Sequence, residues 1–237
     1  MKKARVNIYQ LCLSLCFAIC VCNFAAFAEE EVIKIQDEQP AGEFFGVPVP
    51  MDNYRFVKAA LVIFGARWGA EPATPQEVEN RVWEDLVLSY EAHRRNIIVP
   101  QEEIDEEITK LLKAEKVAFD WKKDKVSYEK WVKDRVREPK ALFENQLKHL
   151  IQLQALRESV RKSFQPQVTQ EEAMQEYMDE YNTLEKRVTQ KEKFPEVKKS
   201  YEEQIKVRKQ YEALNDWTRQ LKKDADIKVF VRSAEPI

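Results

Sequence analysis

From residue 53 onward, apolar residues recur at three- and four-residue steps. That period belongs to helices that bury one face. In "NYRFVKAALVIFGARW" (53–68), Phe56, Ala60 and Phe64 step by four, with Leu61 beside them. The segment is apolar on most sides, so a buried central helix capped by Asp52 is expected. A strand through "AALVIF" is the competing reading, because short apolar runs fit either period. Thr74-Pro75-Gln76-Glu77 is a complete helix start: a capping Thr, Pro at the first position and Glu three after the cap. Val78, Val82, Leu86 and Tyr90 line the helix that follows, widened by Trp83 and Val87. Asn96 suits a left-handed stop. Ile97 and Val99 tack down a turn, and Pro100 opens a helix with Glu102 and Glu103 in its first turn. Ile104, Ile108, Leu111 and Leu112 are its inner face.

The pattern continues after a short loop, "AFDWKKDK". Ser127 is expected to cap a helix carrying Tyr128, Trp131 and Val132 on one side. Glu138-Pro139 starts the longest clear helix, to about Phe164, with Leu142, Phe143, Leu147, Leu150, Ile151, Leu153, Leu156 and Val160 as its stripe. Thr169 and Glu172 form a second capping box, before a helix that aligns Met174, Tyr177, Met178 and Tyr181. Residues 183–193 are polar and poorly defined. Pro195 begins a last long helix through Val197, Tyr201, Ile205, Tyr211, Leu214, Trp217 and Leu221. Ile227, Val229 and Val231 alternate, which predicts a short terminal strand. The fold class is therefore mainly α: one multi-helix domain over 53–237, closed by a long helix and a short strand. Residues 29–52 read as an extended linker or an arm laid over the domain, docked through Phe44, Phe45, Val47 and Val49.

The first 28 residues have a different character. Lys2, Lys3 and Arg5 precede the apolar run "LCLSLCFAICVC", and Ala26-Phe27-Ala28 meets the small-x-small rule. That order is a secretory signal, with cleavage expected between Ala28 and Glu29. The run is short for a membrane span of about 20 residues. All four cysteines lie inside it, so the mature chain has no disulfide framework, thiolate nucleophile or Cys-based metal site. Losing Lys2, Lys3 and Arg5 moves the formal charge from -2 to -5. Nothing basic marks a nucleic-acid surface. Four glycines, at 42, 46, 65 and 69, leave the rest of the chain without any, and so without phosphate loops or nucleophile elbows.

Candidate chemistry is sparse. His93 and His149 have no acidic or second-histidine partner at useful spacing. Acid runs such as Glu102-Glu103 sit at helix starts, where the helix dipole explains them. The serines lack any Ser/His/Asp context. No catalytic, metal or cofactor residue is expected. The aromatic and sulfur side chains remain. Trp121, in a loop beside lysines, is expected to be exposed. With Phe119, Tyr128, Trp131, Met174, Tyr177 and Met178 it forms the set of candidate polypeptide-contact residues, since Met adapts to varied partners.

The segments "RVWEDLVLSYEAHRRNIIVPQEEIDEEI", "YEKWVKDR", "FENQLKHLIQLQALRESV", "VTQEEAMQEYMDEYN" and "WTRQLKKDADIKVF", in that order, resemble the helical chaperone domain of the SurA/PpiD/PrsA group. Asn96 stands where that group has a glycine, and Pro100 where it has a serine. The resemblance covers about residues 54–231. It implies an extracytoplasmic, ATP-independent holdase for unfolded or extended secreted and outer-membrane polypeptides, located in the periplasm. A scaffold dedicated to one envelope protein partner is the alternative. In that group a parvulin prolyl-isomerase domain usually follows the "Y…N" helix. Here residues 183–193 alone separate it from the Phe194-Pro195 start, far short of the roughly 50–250 residues of a compact domain. Isomerase activity is therefore not implied, and neither a small-molecule substrate nor a nucleic acid is expected.

Overall fold

The structure, a computed structural model, describes residues 39–68, 74–184 and 193–231. The expected signal, its cleavage at Ala26, Ala28 and Glu29, the first part of the arm and residues 185–192 lie outside them. The described residues form a hairpin of β1 (Gly42–Phe44) and β2 (Val47–Val49), then α1 (Met51–Trp68), α2 (Pro75–Arg94), α3 (Gln101–Ala114), α4 (Lys125–Val136), α5 (Lys140–Ser163), α6 (Gln170–Leu184), α7 (Phe194–Ala225) and β3 (Lys228–Val229). The chain is mainly α, as its apolar period predicts.

The local start and stop signals act as the sequence implies. Thr74 Oγ1 accepts from the Glu77 N–H at 3.2 Å, and Glu77 Oε2 accepts from the Thr74 N–H at 3.0 Å. Thr169 and Glu172 repeat this reciprocal pair at 3.2 and 2.9 Å. Asn96 takes the left-handed conformation, with φ of 55°. Two starts differ. The α4 cap is Asp124, whose carboxylate accepts from the Ser127 N–H at 3.0 Å, so Ser127 lies inside the first turn. Asp52 also lies inside its helix, because α1 begins at Met51.

α1 is a helix, but it is not the central one. Tyr54, Val57, Ala60 and Phe64 are buried on one face, while Val62 is 61% exposed. The centre is α5. Its first half, through Phe143, Leu147, Leu150 and Ile151, closes a core with Phe64, Ile104, Ile108, Tyr128 and Val132. Its second half, through Leu153, Leu156 and Val160, meets Leu88 and Ala92 of α2 and Leu214 of α7. α7, with 32 residues against 24 in α5, is the longest helix among the described residues. α6 packs along it through Ala173, Phe194 and Ile205.

Helix α2 carries three buried carboxylates, Glu79, Asp85 and Glu91, each spaced by six. Burying a charge without partners is costly, and each has partners. Glu79 accepts from Tyr54 Oη and Trp83 Nε1, both at 2.6 Å. Asp85 accepts from Arg157 Nη2 of α5 at 2.8 Å. Glu91 is paired with Arg94 and Arg95, and their hydrogen bonds hold its carboxyl below the usual carboxylate range.

The arm expected before α1 is a hairpin. Its two-residue turn, Phe45-Gly46, has φ of 52° and 71°, the two positive values that a type I′ turn needs. The right-handed twist of that turn matches its strands. A bulky residue in this region costs about 1–2 kcal/mol. Phe45 is held there because its N–H donates to the Ala225 carbonyl at the end of α7, at 2.6 Å. Phe44 and Val49 are buried; Phe45 and Val47 stay exposed. β3 pairs with β1, giving the antiparallel order β2-β1-β3. Gly42 sits where a Cβ would lie 2.3 Å from the Lys228 carbonyl oxygen and 2.5 Å from the Trp83 ring, so the strand passes there without a side chain. Pro48 faces Glu43 at the position next to the turn-closing Phe44–Val47 pair. That is a non-hydrogen-bonded position, so its nitrogen faces the open edge, which lacks an N–H there.

Candidate polypeptide-binding groove

The sequence-expected contact residues do not assemble into one site. Trp121 is 8% exposed, which overturns its expected exposure. Its Nε1–H donates to Thr109 Oγ1 at 3.0 Å, and its ring lies 5.3 Å from that of Tyr128. Lys125 and Lys122 lie over the indole, with Nζ 4.6 and 5.5 Å from its centroid. The lysines that suggested a wet loop cover the ring instead. Tyr128 is fully enclosed, and burial pushes its phenol up. Phe119 and Trp131 are half-buried against the same core. Met174 and Met178, in contrast, are 38% and 43% exposed on α6. Tyr177 beside them is half-buried, with ring contacts to Phe194 and Tyr201.

A groove forms elsewhere, where the hairpin, α1, α2 and α5 meet. It measures about 560 Å³. Phe44, Val47, Pro48, Val49 and Pro50 make one wall; Asn53, Phe56 and Val57 come from α1. Leu86, Ser89, Tyr90 and His93 come from α2, and His149 and Gln152 from α5. None of these lining residues is Asp, Glu, Lys or Arg, in a chain of which 34% is charged. Phe44, Phe45 and Tyr90 form an aromatic cluster at its rim, with centroids 5.4 to 5.9 Å apart. Tyr90 is 40% and Val47 48% exposed, so apolar surface stays open to water here.

The chain's two histidines both line this groove. His93 is exposed. His149 is buried beside the Phe56 ring, edge-on at 5.6 Å, and its Nε2 has no hydrogen-bond partner. Burial lowers its pKa from 6.5, Arg157 adds to that effect, and Asp85 opposes it. The imidazole is therefore neutral at neutral pH, and the floor carries no charge. Gln152 is engaged differently, its Nε2 donating to the Ile97 carbonyl at 2.7 Å.

No family model, curated protein or solved structure matches this chain.

Phe56 is also a wall of a second groove, of about 360 Å³, between α1 and the first half of α5. Met51, Tyr54, Ala59, Leu142 and Gln146 line it, with Asp52, Arg55, Lys58 and Glu138. Charges of both signs rim this one. A third depression, between α3 and α5, gathers Glu103, Glu106, Glu107 and Glu158 around Lys110. Among the described residues no group of three or more His, Cys, Asp and Glu is placed to hold a metal ion. The charge-free groove was missed in the sequence because four separate segments build it. Its one local signal was Tyr90, the last aromatic of the α2 stripe, which is 40% exposed.

Proposed function

We propose that this chain is an extracytoplasmic, ATP-independent holdase that binds unfolded or extended envelope polypeptides in the groove between the hairpin, α1, α2 and α5. The observation that carries this reading is the groove lining, which is largely aromatic and aliphatic and contains no Asp, Glu, Lys or Arg. The resemblance of residues 54–231 to the SurA/PpiD/PrsA helical domain adds to it on sequence grounds alone. The contact chemistry is removal of client side chains from water. Each buried Phe or Leu contributes about 1.5–3 kcal/mol. Two or three such anchors give about 3–9 kcal/mol before the cost of association and of ordering the client, so binding is weak, about millimolar, unless several grooves or anchors act together. Contacts of that strength release without fuel. No helix among the described residues is long and apolar enough to cross a membrane; the periplasmic location rests on the expected signal.

The test is aggregation of several unrelated denatured proteins, followed by light scattering. The wild-type chain is expected to suppress it when present in molar excess, and Tyr90→Glu, which puts a carboxylate on the groove rim, to lose that effect while staying folded. Suppression of none, with copurification of a single envelope protein, replaces the holdase with the dedicated scaffold.

A further inference from the structure

Gln146 lies on α5, three residues before His149, so both are on one face about 4.5 Å apart along the axis. Its side chain is fully buried, and both Nε2 and Oε1 lack a hydrogen-bond partner. Native proteins rarely leave a buried carboxamide doubly unpaired, because each lost bond carries a desolvation cost. A carboxamide offers a donor and an acceptor in one plane, which is what the C=O and N–H of a peptide unit require. Gln146 lines the second groove, and that groove shares Phe56 with the first. The rim charges there are mixed in sign, so they favour neither acidic nor basic side chains. Strand addition on the nearby β2 edge is blocked by Pro48. An extended chain lying across these grooves then has its main chain met by side chains or by water, and Gln146 is the unpaired side chain there.

We propose that the α1/α5 seam reads the main chain of a bound extended polypeptide, the Gln146 carboxamide pairing with one peptide unit while client side chains fill the charge-free groove. This rests on the holdase reading and explains how capture tolerates different sequences. Both amide atoms are sealed from solvent in the free chain, so the pairing requires Phe56, half-buried and common to both grooves, to swing aside on binding.

The experiment uses the full chain and two fluorescein-labelled peptides rich in Phe and Leu: one ordinary, one N-methylated at alternate residues. Wild-type anisotropy titrations are expected to show about tenfold or greater weakening on N-methylation, the ratio that about 1.4 kcal/mol produces. Gln146→Leu is expected to bind both peptides equally weakly, yet to melt a few degrees higher, since it removes an unpaired buried amide. A purely structural glutamine predicts a lower melting temperature and no change in the N-methylation ratio. Wild-type indifference to N-methylation, or full affinity in Gln146→Leu, overturns main-chain reading but leaves the holdase standing if Tyr90→Glu still abolishes aggregation suppression. Absence of binding to either peptide overturns both.

Discussion

Gly42→Ala is the sharpest probe of how the hairpin is held. The added methyl would lie 2.3 Å from the Lys228 carbonyl oxygen and 2.5 Å from Trp83 Cη2. Carbon contacts are favourable at about 3.5–4.0 Å, so each overlap exceeds about 1 Å. One obstacle is backbone and the other an indole whose Nε1 is tied to Glu79, so neither yields easily. Strand β1 must move away from β3 or away from α2. Overpacking of this kind costs about 1–3 kcal/mol. Retreat from β3 adds the loss of one or two ladder bonds at about 0.5–1.5 kcal/mol each. The expected destabilisation is thus about 2–4 kcal/mol. Urea melts followed by tryptophan fluorescence give it directly. Hydrogen exchange at Phe230 and Val231, whose N–H groups donate to the Ala41 carbonyl, locates it. Gly46→Ala is the control: nothing lies within 4 Å of the point its methyl would occupy, but φ is +71°, so backbone strain alone costs about 1–2 kcal/mol. A Gly42→Ala midpoint within error of wild type, with Phe230 and Val231 still protected, would refute the close-approach reasoning.

Other substitutions test separate parts of the fold. Glu79→Leu strands the Trp83 N–H in the core and is expected to cost about 2–4 kcal/mol in a thermal melt, with Glu79→Gln closer to wild type because it keeps an acceptor. Thr74→Ala removes half of a capping box and is expected to lower stability by about 1 kcal/mol, visible as a shifted urea midpoint at unchanged slope. His149 gives a pH signature. Its folded pKa lies below 6.5 chiefly through burial, so the unfolded chain binds the proton first as pH falls. Its contribution to stability is full above about 6.5, is lost as pH drops from there to the folded value, and then levels off. Subtracting the His149→Gln curve, measured from pH 8 to about pH 5 by urea melts, should isolate that slope; parallel curves would remove His149 as the cause.

What the sequence made legible was local. Thr74 with Glu77, Thr169 with Glu172, and Asn96 are decided within one turn of chain, and each takes the expected geometry. Stripe residues such as Ile108, Leu147 and Leu153 are buried because a helix presents them to one side whatever it meets. Apart from the two caps misplaced at Ser127 and Asp52, the failures are long-range. Trp121 looked wet because its neighbours are lysines, but its partner Thr109 is supplied by another helix. The hairpin was hidden because a bulky Phe45 occupies a turn position that favours Asn or Gly. Its φ is tolerated owing to an acceptor at Ala225, far along the chain. The groove needs Tyr90, Phe56 and His149 from three helices, and no periodicity within one segment can announce that.

The pairing of Gly42 with Val229 sets the order in which a chain threaded out N-terminus first can finish folding. The hairpin emerges early, yet the strand and helix terminus that pin it come last. Distant pairing of this kind is slow to form and late in vectorial synthesis. The groove wall made by β2 is therefore among the final pieces to settle, so a nascent copy has no finished trough with which to seize other emerging chains.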